Sequence, residues 1–271
     1  MKHGICKLCG HEGDLLNSHL MPASAYRPLT APDSPNPNPV LIRAGTSYQT
    51  SRQTTAPLLC RGCEQVLNQM GERRVIPLLA KRDLSSPIYE LLAKMPWDVN
   101  WEGMTAYSAA KNAEIPVEAI AHFALGVFWK ASVHSWHAAD NDPLINLGPY
   151  EKPLREHVLA AKDHPFPKNM ALLVTLLPPP KIPLLLSSPA RGPNGDGFRN
   201  FRFYVPGIQF VLSVGKTLDT EVCFISNPLH PICVSDIAEK VIAIPRRMYF
   251  RGRAIRETEE RTFGKQLKRS P

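Results

Sequence analysis

The chain has 271 residues, 44% of them hydrophobic, enough to bury a real core and to exclude wholesale disorder. At roughly 150 residues per domain the length suggests one to two domains. Its 27 prolines argue against many long helices, and 32 Lys and Arg against 24 Asp and Glu give +8, a sign that favours a polyanionic partner.

The N-terminus, MKHGICKLCG, has no apolar segment of the secretory kind. The most apolar stretch, IPVEAIAHFALGVFWKASVHSW, carries Glu118, His122, Lys130 and His134, so no membrane span is expected. The expectation is a cytoplasmic protein. In a reducing compartment, six cysteines point to metal or catalysis before disulfides.

Residues 1–75 read as a small cysteine-bearing module. Its middle, from Pro28 to Pro39, holds five prolines and cannot be helical. After Cys60 no proline occurs until Pro77, which predicts a helix there. Residues 76–165 form a helical region. Pro116 opens a helix over about 116–138, in which Val117, Ile120, Ala124, Val127, Phe128 and Ala131 make one apolar stripe. A shorter helix is expected from Tyr150 to Lys162. Residues 166–245 should be mainly β: MALLVTLL, KIPLLL, FRFYVPGIQFVLSVG and EVCFIS are short apolar runs separated by turn residues. A basic tail, 246–271, completes an α+β chain.

The four cysteines of the first module form two equal pairs, Cys6-x-x-Cys9 and Cys60-x-x-Cys63. A C-x-x-C knuckle brings two thiolates to one metal, and two knuckles complete a tetrahedron around Zn²⁺. Four sulfurs leave no position for substrate, so this zinc should be structural. The 50-residue gap between the pairs exceeds ordinary ribbon spacing, so chemistry is to be sought in the insert. There, Leu15-Leu16-Asn17-Ser18-His19-Leu20-Met21-Pro22 reads as a strand that stops, with His19 near its end.

The succession C-x-x-C, Ser18-His19-Leu20-Met21-Pro22, then Leu58-Leu59-Cys60-Arg61-Gly62-Cys63-Glu64 resembles the zinc-bearing HNH endonucleases of the ββα-metal superfamily. More closely, it is similar to a bacterial HNH-like branch with Ser-His-x-x-Pro, Leu-Leu-Cys-x-x-Cys-Glu and a later Gly-Glu pair, here Gly71-Glu72. The resemblance covers about residues 4–75 and implies a zinc-held HNH-like module. It further implies metal-dependent hydrolysis of DNA, with a bacterial or phage-defence setting and the prospect of a regulatory protein partner. His19 matches the general base. Glu64 and Asn68 match the helix positions that hold a catalytic divalent cation, usually Mg²⁺. Ser18 stands where the family has an Asp ligand, so one carboxylate is missing on the strand side, and Glu64 stands where the family usually has Asn.

Elementary chemistry agrees with these roles. An imidazole, with an ordinary pKa of about 6.5, suits proton abstraction near neutrality. Residues i and i+4 share a helix face, so Glu64 and Asn68 can approach one cation, with Glu72 at the edge. Hard oxygen ligands suit Mg²⁺. The alternative is a non-catalytic four-cysteine zinc module that binds nucleic acid or a partner protein, the reading Ser18 favours.

Other candidates are blander. His134 and His137, with Asp140, read as exposed histidines near a helix end. The glycine-rich loop from Arg191 to Gly197 lacks a phosphate-cradle pattern and reads as a hairpin turn. Cys223 and Cys233 read as buried thiols. In the tail, Arg246, Arg247, Arg251 and Arg253 are candidate phosphate contacts, with Tyr249, Phe250 and Phe263 as stacking faces.

Overall fold

The computed structural model describes residues 2–43, 46–101, 103–136, 143–160, 163–164, 166–193, 195, 197–216, 218, 229–237, 239–243 and 245–248. Cys223, His137, Asp140, the EVCFIS run and the chain from 249 onward, with Arg251 and Arg253, lie outside the described residues.

The N-terminal cysteine segment opens with β1 (Lys2–Ile5), which turns through the first knuckle into β2 (Glu12–His19). Met21 and Leu20 are buried, and Pro22 leads into a 3₁₀ helix, Ala23–Leu29, so the strand stops just after His19 as expected. Of the proline-rich middle, expected to be free of helix, Pro28 and Leu29 close this 3₁₀ helix and residues 30–39 are non-helical; a small hairpin follows, β3 (Val40–Arg43) and β4 (Thr46–Gln49), which the sequence does not announce. β5 (Thr55–Leu59) then pairs antiparallel with β2, giving a three-stranded sheet in the order β1-β2-β5. The register shifts between Leu16 and Asn17: Leu16 faces Leu59 and Asn17 faces Pro57. Leu58 is the extra residue, and this bulge buries both Leu58 and Leu59.

The predicted helix after Cys60 is present but interrupted. α1 (Arg61–Leu67) passes into a π-helical turn, Asn68–Glu72, and then α2 (Arg73–Val75). Gly71 sits in the π turn because nothing larger fits. A Cβ there would lie 2.9 Å from the backbone of Phe123 on a neighbouring helix. Gly71→Ala should therefore overpack this contact and lower stability by about 1–3 kcal/mol, read as a reduced urea midpoint with unchanged m-value.

α3 (Pro87–Leu92) follows, then β6 (Val99–Trp101) and β7 (Met104–Ser108), strands inside a segment expected to be helical. The long helix α4 spans Val117–Val133, with Pro116 at its N-cap. It is shorter than expected, and it is buried on every side from Ala119 to Ala131 rather than along one stripe. A helix buried on all sides belongs at the centre of a fold. Past Val133 the backbone is extended at His134 (φ −148°, ψ 144°), so His134 is not followed by a further helical turn. α5 (Glu151–Leu159) matches the second expected helix.

β8 (Met170–Leu176), β9 (Ala190–Arg191), β10 (Phe198–Val205), β11 (Ile208–Gly215) and β12 (Pro231–Ser235) complete the second sheet. Its seven strands run β6-β7-β12-β8-β11-β10-β9, antiparallel except for the parallel β12–β8 pair. The FRFYVPGIQFVLSVG run is the β10–β11 hairpin, turned at Pro206-Gly207, where Gly207 takes a positive φ of 80°. The 191–197 loop joins the antiparallel pair β9–β10, as a hairpin turn should. KIPLLL is not a strand: prolines at 178–180 and 183 remove the donors a ladder would need. Cys233 is buried on β12.

One hydrophobic core runs from Cys6 to Val234. α4 lies at its centre. Towards the large sheet, Phe123 packs on Phe210 (5.8 Å between centroids) and Phe128 on Phe203 (4.9 Å). Towards the cysteine segment, Gly126 faces Leu67 and Phe123 faces Gly71. Among the described residues no helix is long and apolar enough to cross a membrane.

α4 also buries a titratable group. His122 Nε2–H donates to the Val158 carbonyl at 3.0 Å, while its Nδ1 is buried with no hydrogen-bond partner among the described residues. Burial, aided by nearby His157 and opposed by the Val158 bond, lowers its pKa. A histidine kept neutral in the folded state binds fewer protons than in the unfolded chain at mildly acidic pH. Its contribution is thus intact above about pH 6.5 and is lost as pH falls towards the lower folded value. Urea unfolding should show stability dropping between pH 7.5 and 5.5, by at most about 1.4 kcal/mol per pH unit from this group. His122→Leu should lessen the drop.

Candidate functional site

The two knuckles meet because each is placed by a strand end. The first is the β1–β2 turn, closed by Cys6 N–H on the His11 carbonyl and Gly10 N–H on the Cys6 carbonyl, both 2.9 Å. The second follows β5 directly, with Cys60 as the N-cap of α1 and Cys63 in its first turn. The sheet joins them: Lys7 N–H donates to the Leu58 carbonyl (3.1 Å) and Cys60 N–H to Cys6 Sγ (3.3 Å).

The four sulfurs lie within 4.8 Å of one another, and Cys9 Sγ is 3.9 Å from Cys60 Sγ. A zinc tetrahedron with Zn–S of about 2.3 Å needs sulfurs about 3.8 Å apart, so the spacing fits a structural zinc. Cys6 and Cys63 are buried, Cys9 and Cys60 half-buried.

The electrostatics point the same way. Burial pushes the Cys6 thiol up, but N–H groups of Cys9, Cys60 and Leu8 outweigh it and bring it down to about 7. Burial pushes Cys63 far up, and the Cys6 charge adds to this; burial also raises Cys9. One thiolate forms readily and opposes the rest, so four together call for a cation.

His19 ends β2, half-buried, opposite Thr55. Ser18 is 1% exposed and pairs across the sheet with Ala56; its Oγ lies 3.5 Å from the Leu16 carbonyl of its own strand. α1 packs against β2. On α1, Glu64 is half-buried, and its Oε1 is buried with no hydrogen-bond partner among the described residues. An acceptor left in that state is costly unless a cation or proton satisfies it. Asn68 is exposed at the start of the π turn.

Glu72, expected at the edge of this group, is engaged elsewhere. Its Oε1 lies 3.5 Å from Lys130 Nζ, and the same ammonium donates to the His19 carbonyl at 2.8 Å. Lys130 comes from α4 and is 2% exposed. In the sequence, Lys130 argues only against a membrane span. A lysine near the end of a mostly apolar helix, one turn after Gly126, is the signal the sequence offers. Arg155 of α5 makes a similar link, donating to the Leu8 carbonyl in the first knuckle (3.3 Å).

Arg246 and Arg247 are exposed, and Arg247 Nε–H donates to the Ala243 carbonyl (3.4 Å). Arg61, Arg73 and Arg74 are exposed along the helical run that carries Glu64. No family model, no curated protein and no solved structure matches this chain.

Proposed function

We propose that this protein is an HNH-type, metal-dependent endonuclease acting on DNA, built around a structural zinc on Cys6, Cys9, Cys60 and Cys63. One observation carries the reading. His19 ends the first strand of a strand–strand–helix unit, and the helix packed on that strand holds a buried Glu64 oxygen that no donor among the described residues satisfies.

In this reading the His19 imidazole takes a proton from the attacking water, the role of a general base. Glu64 would hold a divalent cation, Mg²⁺ or another, and Asn68, one turn on and exposed, would add a neutral oxygen. Bound there, the ion would neutralise phosphate charge and stabilise the leaving oxygen. Ser18 faces its own strand, so the carboxylate of the site comes from the helix. The exposed Arg61, Arg73, Arg74, Arg246 and Arg247 supply phosphate contacts.

The buried Ser18, in the position where an acid would bind metal, favours a second reading: a zinc-held module that binds nucleic acid or protein without cutting. Plasmid nicking with Mg²⁺, Mn²⁺ or Ni²⁺, read beside gel-shift binding, separates the two. Cleavage that EDTA abolishes supports the nuclease; retained DNA with no nicking under any ion supports the binding module.

A further inference from the structure

Lys130 poses a question that the zinc and the base do not answer. It is 2% exposed, in the last turns of a helix whose neighbours are Ala, Phe, Leu, Val and Trp. Burying an ammonium is unfavourable unless its N–H groups find acceptors. Two are present: the His19 main-chain carbonyl at 2.8 Å and Glu72 Oε1 at 3.5 Å. The acid is the wetter partner, its side chain 24% exposed against 3% for the lysine, so the ammonium is seated inward, on the strand end.

The backbone is arranged to allow this reach. Phe123, Gly126 and Lys130 lie at i, i+3 and i+7, on one face of α4. Phe123 meets Gly71 where a Cβ would be 2.9 Å from its backbone, and Gly126 meets Leu67, with 3.1 Å to a Cβ. The close approach of α4 to the helical run puts the lysine within reach of β2.

We propose that Lys130, anchored by Glu72, is a positioning residue for His19. It holds the main chain from which the imidazole projects and ties that strand end to the helical run bearing Glu64. The proposal rests on the nuclease reading above. A base displaced by a fraction of an ångström from its water loses rate without losing substrate affinity. The loss should therefore fall on kcat and leave KM in place.

The test is Lys130→Met combined with Glu72→Gln, which removes both charges and leaves neither buried unpaired. Nicking kinetics, zinc content and the ¹³C shift of the His19 carbonyl are read on the full chain. The expected result is a kcat lower by about 10- to 100-fold, KM within about twofold, unchanged zinc, and a moved carbonyl shift. Restoring Lys130→Arg in the same position should recover part of the rate, since a guanidinium can donate to the same carbonyl. A folded double variant with wild-type kcat and a moved carbonyl shift overturns the proposal while the wild-type enzyme remains a nuclease. A wild-type protein that cuts nothing with any divalent ion overturns the nuclease reading, and this proposal with it. If the double variant does not fold, Lys130→Met alone decides: it removes the bond to the His19 carbonyl and leaves only the wetter Glu72 carboxylate without its partner, should lower kcat by about 10-fold or more, and overturns the proposal if kcat is unchanged.

Discussion

Cys63→Ser is expected to empty the four-sulfur site and to loosen β1, β2 and β5 together. Cys63 is 4% exposed in the first turn of α1, so the serine has no room to be replaced by another ligand. A hydroxyl is a poor partner for zinc, and three thiolates without it leave the charge conflict around Cys6 unresolved. In small zinc modules the metal contributes about 10–16 kcal/mol of apparent folding free energy. Here the loss should be local, because Leu8, Leu58, Leu59 and Leu67 are also part of the common core. Elemental analysis should fall from about one zinc per chain to none. Hydrogen exchange should then show lost protection in β1, β2 and β5, with β8, β10 and β11 still protected. A wild-type protein that carries no metal, yet protects its N-terminal sheet fully, would sink the zinc assignment.

What could be read from the sequence follows the range of the forces involved. The knuckles were legible because C-x-x-C geometry is set within four residues, and the spacing of two pairs says the rest. β8, β10 and β11 were legible because their apolar runs are continuous or alternating and bounded by proline and glycine. β6 and β7 were not: three and five residues long, they are strands because they extend a sheet whose other members lie more than sixty residues on. The burial of α4 on all sides was hidden for the same reason. Phe128 of its stripe meets Phe203 of the large sheet, while Gly126, on another face, admits Leu67 of the helical run. The π turn at Asn68–Glu72 is a local consequence of that second contact. Lys130 is the clearest case. Its acceptor on His19 lies 111 residues away in sequence, and no periodicity reports such a pairing.

His19→Ala should abolish nicking while leaving zinc, fold and DNA binding intact. Removing a general base typically loses about 10²–10⁴-fold, and the methyl group left behind keeps the strand end, because two bonds that hold it run through the backbone. These are the Lys130 ammonium on the His19 carbonyl and the Leu20 N–H on the Thr54 carbonyl. Glu64→Gln should be as damaging by a different route. It keeps the volume and the buried oxygen but removes the charge that a dication requires, a loss of several kcal/mol, or about 10²-fold or more. The two variants differ in their response to metal: raising Mg²⁺ should recover part of the Glu64→Gln rate and none of the His19→Ala rate. Ser18→Asp completes the set. At 1% exposure a new carboxylate is destabilising unless a cation meets it, so thermal stability should fall without Mg²⁺ and rise again with it if Ser18 borders the ion site. No Mg²⁺ effect on that variant would separate Ser18 from the site. Cleavage that survives loss of His19 at the wild-type rate would move the active site elsewhere in the chain and leave the four cysteines as a binding fold.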